Sequence, residues 1–289
     1  MEKPTSSYNE KFHEKRSSSF LWMLVISFAV IWLVITGAPF IFQIFTTFKS
    51  QGEFITGGLF EFPEKITFIN YISVLQRGFY SYFLNSVIVL SASLILLLLL
   101  SAFAAYPLSR MKFKLNKPIF SAIIAAMSIP IHITLIPVFI MSIRLGIYDS
   151  FPALIGPNIA FNLPMSIFIL TAFMQSIPKE LEEAAEIDGC GKFSTFFRII
   201  FPLSKSGLVT LAIYNGVVIW NEFVFVMTLT QSRTARTLPL AIWEYQGQYT
   251  MNIPLIMTLL FLSSLPVIIL YLFCQEKLVK GMIAGAIKG

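Results

Sequence analysis

Apolar residues gather into six long runs, about Phe20–Thr46, Tyr82–Leu108, Pro118–Ile143, Phe151–Gln175, Ser206–Leu229 and Ile253–Phe273, separated by shorter polar stretches. A helix needs about 20 apolar residues to cross the roughly 30 Å of a bilayer's hydrocarbon. Each run is of that order, and none alternates apolar with polar positions as the strands of a membrane barrel do. The pattern predicts an all-α integral membrane protein of about six transmembrane helices. The first run, 20–46, is too long for a signal-peptide core and lacks a convincing small-residue cleavage site, so it is read as an uncleaved span. A polar tail, 1–19, precedes it. Residues 47–81, with Gly57-Gly58, Pro63 and several aromatics, suit an extracytoplasmic loop lying on the membrane or touching a partner. A core of five helices then occupies 82–273, and a second tail occupies 274–289.

The stretch from Ile177 to Leu203 is polar yet patterned. Pro178 suits a first helical turn, where its missing N–H would have no partner anyway. Ile177, Leu181, Ala184, Ala185 and Asp188 share one stripe at helical spacing, with Glu182, Glu183 and Glu186 opposite. Gly189 follows, where glycine enters a left-handed C-cap without steric cost. A second amphipathic run puts Phe193, Phe196, Phe197 and Ile200 on one face, and Pro202 ends it. The prediction is helix, glycine turn, helix at the membrane surface.

Glu183-Ala184-Ala185, three residues, Gly189, nine residues, Ile199, one residue, Phe201-Pro202 resembles the EAA loop of binding-protein-dependent ABC importer permeases. That family usually has leucine where Phe201 stands, a change of size but not of polarity. The longer string Glu182 to Gly189 is similar to the carbohydrate, maltose-type branch. So are Trp220-Asn221-Glu222-Phe223 and Gly285-Ala286-Ile287-Lys288-Gly289. Asn85-Ser86, Ala105-Tyr106 with Arg110 and Phe113, Pro130, Ile136-Pro137 and Leu145 to Tyr148 resemble the family's core. A solvated acidic helix would fit the elbow taken in isolation, since carboxylates in a first turn favour the helix dipole. The glycine, the aromatic ridge and the proline at family spacing favour a docking elbow.

The resemblance implies a type I ABC importer permease fold with both termini cytoplasmic, in the bacterial cytoplasmic membrane. It implies transport of a sugar or oligosaccharide, not catalysis. The partners it implies are a second, non-identical permease, a dimer of ABC ATPases carrying ATP and Mg, and an extracytoplasmic sugar-binding protein. The coupling residues would be Glu183, Ala184, Ala185, Asp188, Gly189, Phe193, Phe196, Phe197 and Pro202. The tail 274–289 would either reach into the ATPase dimer or lie in solvent. An ABC permease for glycerol phosphate or a polyol shares these motifs.

Charge agrees with that topology. With the N-terminus inside, 15 of the Lys and Arg residues fall on inner segments and 6 on outer ones, the bias of the positive-inside rule. The net charge of +6 is therefore read through topology and not as a nucleic-acid signal. Hydrophobic residues make up 56% and charged residues 12% of the 289, at a mean hydropathy of +0.76; a soluble chain carries about a quarter charged residues. Membrane lipid is the expected surround. Cys190 and Cys274 have no metal spacing and read as reduced thiols. No GxxxxGK[ST] loop occurs, so the chain itself is expected to bind no ATP or other cofactor.

Asn221 and Glu222 stand out inside the fifth run. An ionisable group in hydrocarbon costs at least about 2.5–3.5 kcal/mol, so Glu222 either borders a translocation path or permease interface, or is satisfied by a helix–helix hydrogen bond. The sequence leaves both open. His132, without a carboxylate one turn away, reads as a packed or interfacial residue. Trp243, Glu244, Tyr245, Gln246 and Tyr249 suit either the outer membrane interface or contact with sugar or protein. Prolines in the third, fourth and sixth runs predict bent helices around a path. An ATP-independent secondary transporter would show intramembrane charge pairs or inverted repeats, and neither is evident.

Overall fold

The structure, a computed structural model, describes residues 7–58, 60–245 and 251–286, with side chains over 21–58, 60–243 and 251–273. In chain order the helices are α1 (Ser7–Thr47), α2 (Gln51–Thr56), α3 (Ile69–Gln76), α4 (Phe79–Arg110), α5 (Asn116–Ala126), α6 (Leu135–Arg144), α7 (Phe151–Gln175) and α8 (Glu180–Ile187). They continue with α9 (Lys192–Thr195), α10 (Phe201–Leu203), α11 (Lys205–Trp220), α12 (Val224–Leu229) and α13 (Ile253–Ala286). No strand occurs among the described residues. Four helices are long and apolar enough to cross a membrane, or six if each of two bent pairs counts as one span.

Three runs differ from the continuous spans expected. The third breaks between α5 and the 3-10 turn Ile131–Thr134 that leads into α6, with a 92° bend. Pro130 explains the break, since its ring disfavours helix in the residue before it and it has no N–H to give. The fifth is divided at Asn221–Phe223 into α11 and α12. The sixth runs on as helix to Ala286 instead of ending at Phe273; the side chains of 274–289 lie outside the described residues.

The chain forms two compact units, one of residues up to 73 with 252–261, the other of 74–251 with 262 onward. The first is more ordered than a plain loop. Asn70 Nδ2 donates to the Thr47 and Lys49 carbonyls at 2.8 Å each, and the buried Lys49 ammonium donates to the Gly58 carbonyl at 3.1 Å. Phe42, Phe45 and Phe48 meet Phe60, Phe62 and Phe68 edge-on. These polar bonds and rings fold 47–73 onto the end of α1, where composition gave only an amphiphilic stretch.

The second unit is built on α4 and α7. Lipid gives no hydrophobic drive between helices, so close approach depends on small residues. Ser93, Ser101, Ala102 and Ala105 on α4, Ala153 and Ser166 on α7, and Gly207 on α11 are buried. At Gly207 an added Cβ would stand 2.8 Å from Phe173 Cγ, so glycine permits the α7–α11 approach. One apolar core gathers Tyr106, Leu170, Met174, Phe196, Ile200 and Leu211. A second gathers Val89, Leu154, Phe225, Leu229 and Leu240. Between them Asn215 Nδ2 donates to Ser166 Oγ at 3.1 Å.

Candidate functional site

The polar segment folds as helix, turn, helix. Glu180, Glu182 and Glu183 occupy the first turn of α8, where its exposed N–H groups favour negative charge. At the other end Gly189 takes φ +78°. Its N–H bonds the Glu186 carbonyl at 3.0 Å and the Cys190 N–H bonds the Ala185 carbonyl at 2.9 Å. This pair of bonds is the Schellman motif, which closes the orphan carbonyls of a helix end. Across the turn the Lys192 ammonium pairs with the Glu186 carboxylate. The second arm is α9, a π turn Phe196–Ile200 and α10, and it meets α11 at 67°. Pro202 has no N–H to offer the Arg198 carbonyl, which suits the wide turn.

The C-terminal turns of α4 hold both arms. Arg110 Nη2 donates to the Ile177 carbonyl at 2.7 Å. Its Nε lies 2.9 Å from Glu182 Oε1, with side chains only 2% and 14% exposed. Neither of those two atoms makes an aligned hydrogen bond, so the contact is an ion pair. The Tyr106 hydroxyl donates to the Lys192 carbonyl at 3.3 Å, and its ring packs on Phe196 with centroids 5.0 Å apart. Met111 and Pro107 complete an apolar cleft of about 160 Å³ that ends against Phe193 and Lys192.

These contacts correct two expectations. Glu182 faces inward to Arg110 and not outward with Glu183 and Glu186, while Leu181, Ala184 and Asp188 are exposed and Ala185 is buried. The four-residue aromatic ridge is also split. Phe196 (2% exposed) and Ile200 enter the core, whereas Phe193 (80%) and Phe197 (52%) face out. Spacing shows which positions share a side of a helix but not how far a neighbouring helix covers it: Phe196 is covered by Phe103 and Tyr106 of α4, while Phe193, in α9 ahead of the π turn, is not buried. Outward, the elbow presents Glu183, Ala184, Ile187, Asp188, Phe193 and Phe197.

Asn221 and Glu222 lie at the break between α11 and α12. Asn221 is exposed, and its Nδ2 donates to the Val217 carbonyl at 2.9 Å. Among the described residues Glu222 makes no bond to another span's side chain; its carboxylate accepts the Phe225 N–H at 2.7 Å and the Val226 N–H at 3.2 Å. Of the two readings left open, the helix–helix bond is not the one seen among the described residues; the carboxylate instead caps α12. Trp220 Nε1 donates to the Ser263 carbonyl at 3.1 Å and anchors the preceding turn.

At the other end of the unit, Asn85 Nδ2 donates to the Thr234 and Arg236 carbonyls at 3.0 and 2.8 Å. Ser86 Oγ accepts the Leu238 N–H at 2.8 Å. Asp149, at φ +59°, accepts the Gln231 and Ser232 N–H groups at 2.8 and 2.9 Å. Partial burial pushes its carboxyl up, but those donors and the nearby Arg236 outweigh burial and hold it below the ordinary carboxylate value. Arg236 stacks over Trp243 at 5.5 Å. Glu244, Tyr245, Gln246 and Tyr249 lie outside the described side chains.

Sequence reasoning missed the roles of Arg110, Tyr106 and Asp149. The signal was present for the first two, because Phe103, Tyr106 and Arg110 recur on one face of α4 beside an acidic segment. Among the described residues no group of three or more His, Cys, Asp and Glu could hold a metal. The arrangement offers an exposed acidic and aromatic lever, braced from behind.

A family model described as binding-protein-dependent transport system inner membrane component matches residues 97–284. The putative ABC transporter permease protein ORF2 of Caldicellulosiruptor sp. (strain Rt8B.4) is 51% identical over 262 residues, covering 91% of this chain and 95% of its own. The melibiose/raffinose/stachyose import permease protein MelC of Bacillus subtilis (strain 168) is 34% identical over 253 residues, covering 87% and 91%. A chain of a bacterial ABC transporter involved in the import of the acidic polysaccharide alginate superposes with a TM-score of 0.74 at 20% identity, covering 95% and 99%.

Proposed function

The chain belongs to the family of binding-protein-dependent transport system inner membrane components, and on that premise we propose that it is the permease subunit of an ATP-driven ABC importer for a sugar or oligosaccharide. It is a transport component and not an enzyme. The observation that carries the carbohydrate reading is the 34% identity, over 87% of the chain, with a melibiose/raffinose/stachyose permease. That relative favours a sugar over glycerol phosphate, a polyol or ATP-independent transport.

In this reading the subunit sits in the bacterial cytoplasmic membrane with both termini inside. It pairs with a second, non-identical permease, two ATPase subunits that hold ATP and Mg, and an extracytoplasmic sugar-binding protein; the chain itself binds no cofactor. The elbow seats in a cleft on one ATPase. Glu183 meets a basic side chain there, a charge-assisted bond of about 1.5–3 kcal/mol. Exposed Ala184 allows close approach, while Phe193 and Phe197 fill an apolar groove. Ala185 and Phe196, both buried, support the elbow from within. Gly189 and Pro202 set its bend, and Asp188 lies on the docking side. Closure of the ATPases draws the elbows together and turns the cavity outward, with Asn221 and Glu222 bordering the path at the α11–α12 break.

The test is to purify the chain by an affinity tag from mild detergent and to follow uptake of labelled melibiose, raffinose, maltose and glycerol 3-phosphate in cells with and without it. An ATPase that co-purifies, with vanadate-sensitive uptake of a sugar, is the expected result. Vanadate-resistant uptake without an ATPase overturns the importer reading, and uptake of glycerol 3-phosphate alone overturns the carbohydrate.

A further inference from the structure

The geometry points to α4 as the strut that carries motion from the elbow to the opposite end of the unit, with Arg110 as its positioning residue at the elbow. This rests on reading the elbow as the ATPase seat. The elbow is continuous with α7 and α11, and chain continuity alone would make those two helices the transmitters. Both joints are bends, however. α7 ends at Gln175 and reaches α8 through a four-residue link, and the elbow meets α11 at 67°. A bend is compliant under load; a hydrogen-bonded helix is stiff along its axis.

α4 is a single unbroken helix of 32 residues, and its only proline, Pro107, stands in the last turn. Directional polar bonds grip it at both ends. At the elbow, Arg110 bonds the Ile177 carbonyl and pairs with Glu182, which fixes the base of α8, and Tyr106 bonds the Lys192 carbonyl of α9. At the far end Asn85 holds the Thr234 and Arg236 carbonyls and Ser86 holds the Leu238 N–H. From Asn85 to Arg110 the rise is about 37 Å, longer than the hydrocarbon. Between those grips α4 buries mainly small and apolar side chains, among them Val89, Ser93, Leu97, Ser101 and Ala102, which can slide. The contacts at its ends are polar and buried, and they have fixed partners. A displacement of α8 therefore moves Arg110, and α4 delivers it to 234–238.

Thr234 is exposed and adjoins that grip, so Thr234→Cys, in a chain with Cys190→Ser and Cys274→Ser, reports the far end. The whole importer, purified through a tag on this chain and placed in nanodiscs, is labelled with a polar maleimide, with and without ATP-Mg and vanadate. Trapping is expected to change the parent's labelling rate about fivefold or more. Arg110→Lys and Glu182→Gln are expected to reduce that response to about twofold or less while the ATPase still co-purifies. A merely structural pair would lower yield but leave the response of the folded fraction intact, and that outcome overturns the proposal. So does a parent without response, or loss of the ATPase from both variants, which would make the pair a docking support. Should either variant fail to accumulate, Tyr106→Phe removes one hydroxyl without opening a cavity and must show a reduced response. Absence of any ATPase from the parent would instead refute the importer reading.

Discussion

Oε1 of Glu222 accepts the Phe225 N–H at 2.7 Å, three residues further along the chain. A carboxylate expected inside a continuous span is instead the cap that starts a new helix after a break. The first N–H groups of any helix lack intrahelical partners, and in hydrocarbon no water replaces them. The cap thus makes the interruption at Asn221–Phe223 tolerable. Glu222→Gln keeps one carbonyl acceptor, so unfolding in detergent is expected near the parent's temperature, while sugar uptake falls if the carboxylate borders the path as proposed. Glu222→Ala loses the cap as well and is expected to cost about 1–2 kcal/mol. Parent-like uptake by the glutamine variant would remove the path role.

Gly189 has open space around a hypothetical Cβ, and its φ is +78°. The cost of Gly189→Ala is therefore conformational, about 1–2 kcal/mol for a left-handed L-residue. That is too little to prevent membrane insertion but enough to straighten the turn between α8 and α9. Immunoblots of membrane fractions are expected to show normal levels, with uptake lost. Full uptake would show that the bend need not be kept.

Two other glycines separate packing from conformation. Gly207→Ala drives a methyl into Phe173, 2.8 Å away, and is expected to destabilise by about 1–3 kcal/mol. Gly216→Ala, in the same helix, meets nothing within 4 Å and gains helix propensity of about 0.8–1.0 kcal/mol. Thermal unfolding of the purified chain is expected to order the variants Gly216→Ala, parent, Gly207→Ala.

The Asp149 carboxyl is held low in the folded protein, so its contribution has a definite pH window. A depressed carboxyl stabilises fully above its unfolded value, about 3.9, and loses that contribution as pH falls through the folded value. Melting temperature is expected to be insensitive to this group near pH 7 and to fall on acidification below about pH 4. Asp149→Asn still tolerates φ +59°, but it lowers the neutral-pH melting temperature and flattens the acid limb. An unchanged acid limb would assign the acid sensitivity to other carboxylates.

Much of this was legible in the chain. The run from Phe151 to Gln175 is α7 to the residue, because continuous apolarity with Pro152 in the first turn leaves little choice. Gly189 announced its own φ. What the sequence hid were contacts between distant residues: nothing local to Glu182 says that Arg110, seventy-two positions earlier, will turn it inward. The bend at Pro130 was foreshadowed by its proline, but the break at Asn221 was hidden for a different reason. Hydropathy averages over it, and the cap that Glu222 supplies to α12 shows only in the fold. The faces of Phe193 to Ile200 were misassigned because spacing says which positions share a side of a helix, not which of them α4 covers: Phe196 meets Phe103 and Tyr106, and Phe193, ahead of the π turn, is left exposed.

That misassignment supplies the last prediction. Phe193 and Phe196 are three residues apart and would share a face of an α-helix, yet one is 80% exposed and the other 2%. Phe196 touches Phe103, Tyr106, Phe197 and Phe201. Phe196→Ala empties that cluster and is expected to cost about 3–5 kcal/mol, seen as a lower melting temperature whether or not an ATPase is bound. Phe193→Ser removes a ring with almost no intramolecular contact and should leave the isolated chain's melting temperature nearly unchanged. If its ring fills a groove on the ATPase, the same variant must lose co-purification of that subunit, because a buried aromatic anchor typically carries 2 kcal/mol or more, about thirtyfold in affinity. A Phe193→Ser chain that keeps its ATPase through purification would show that the exposed ring does not face the partner, and docking would then rest on Glu183, Ala184, Asp188 and Phe197.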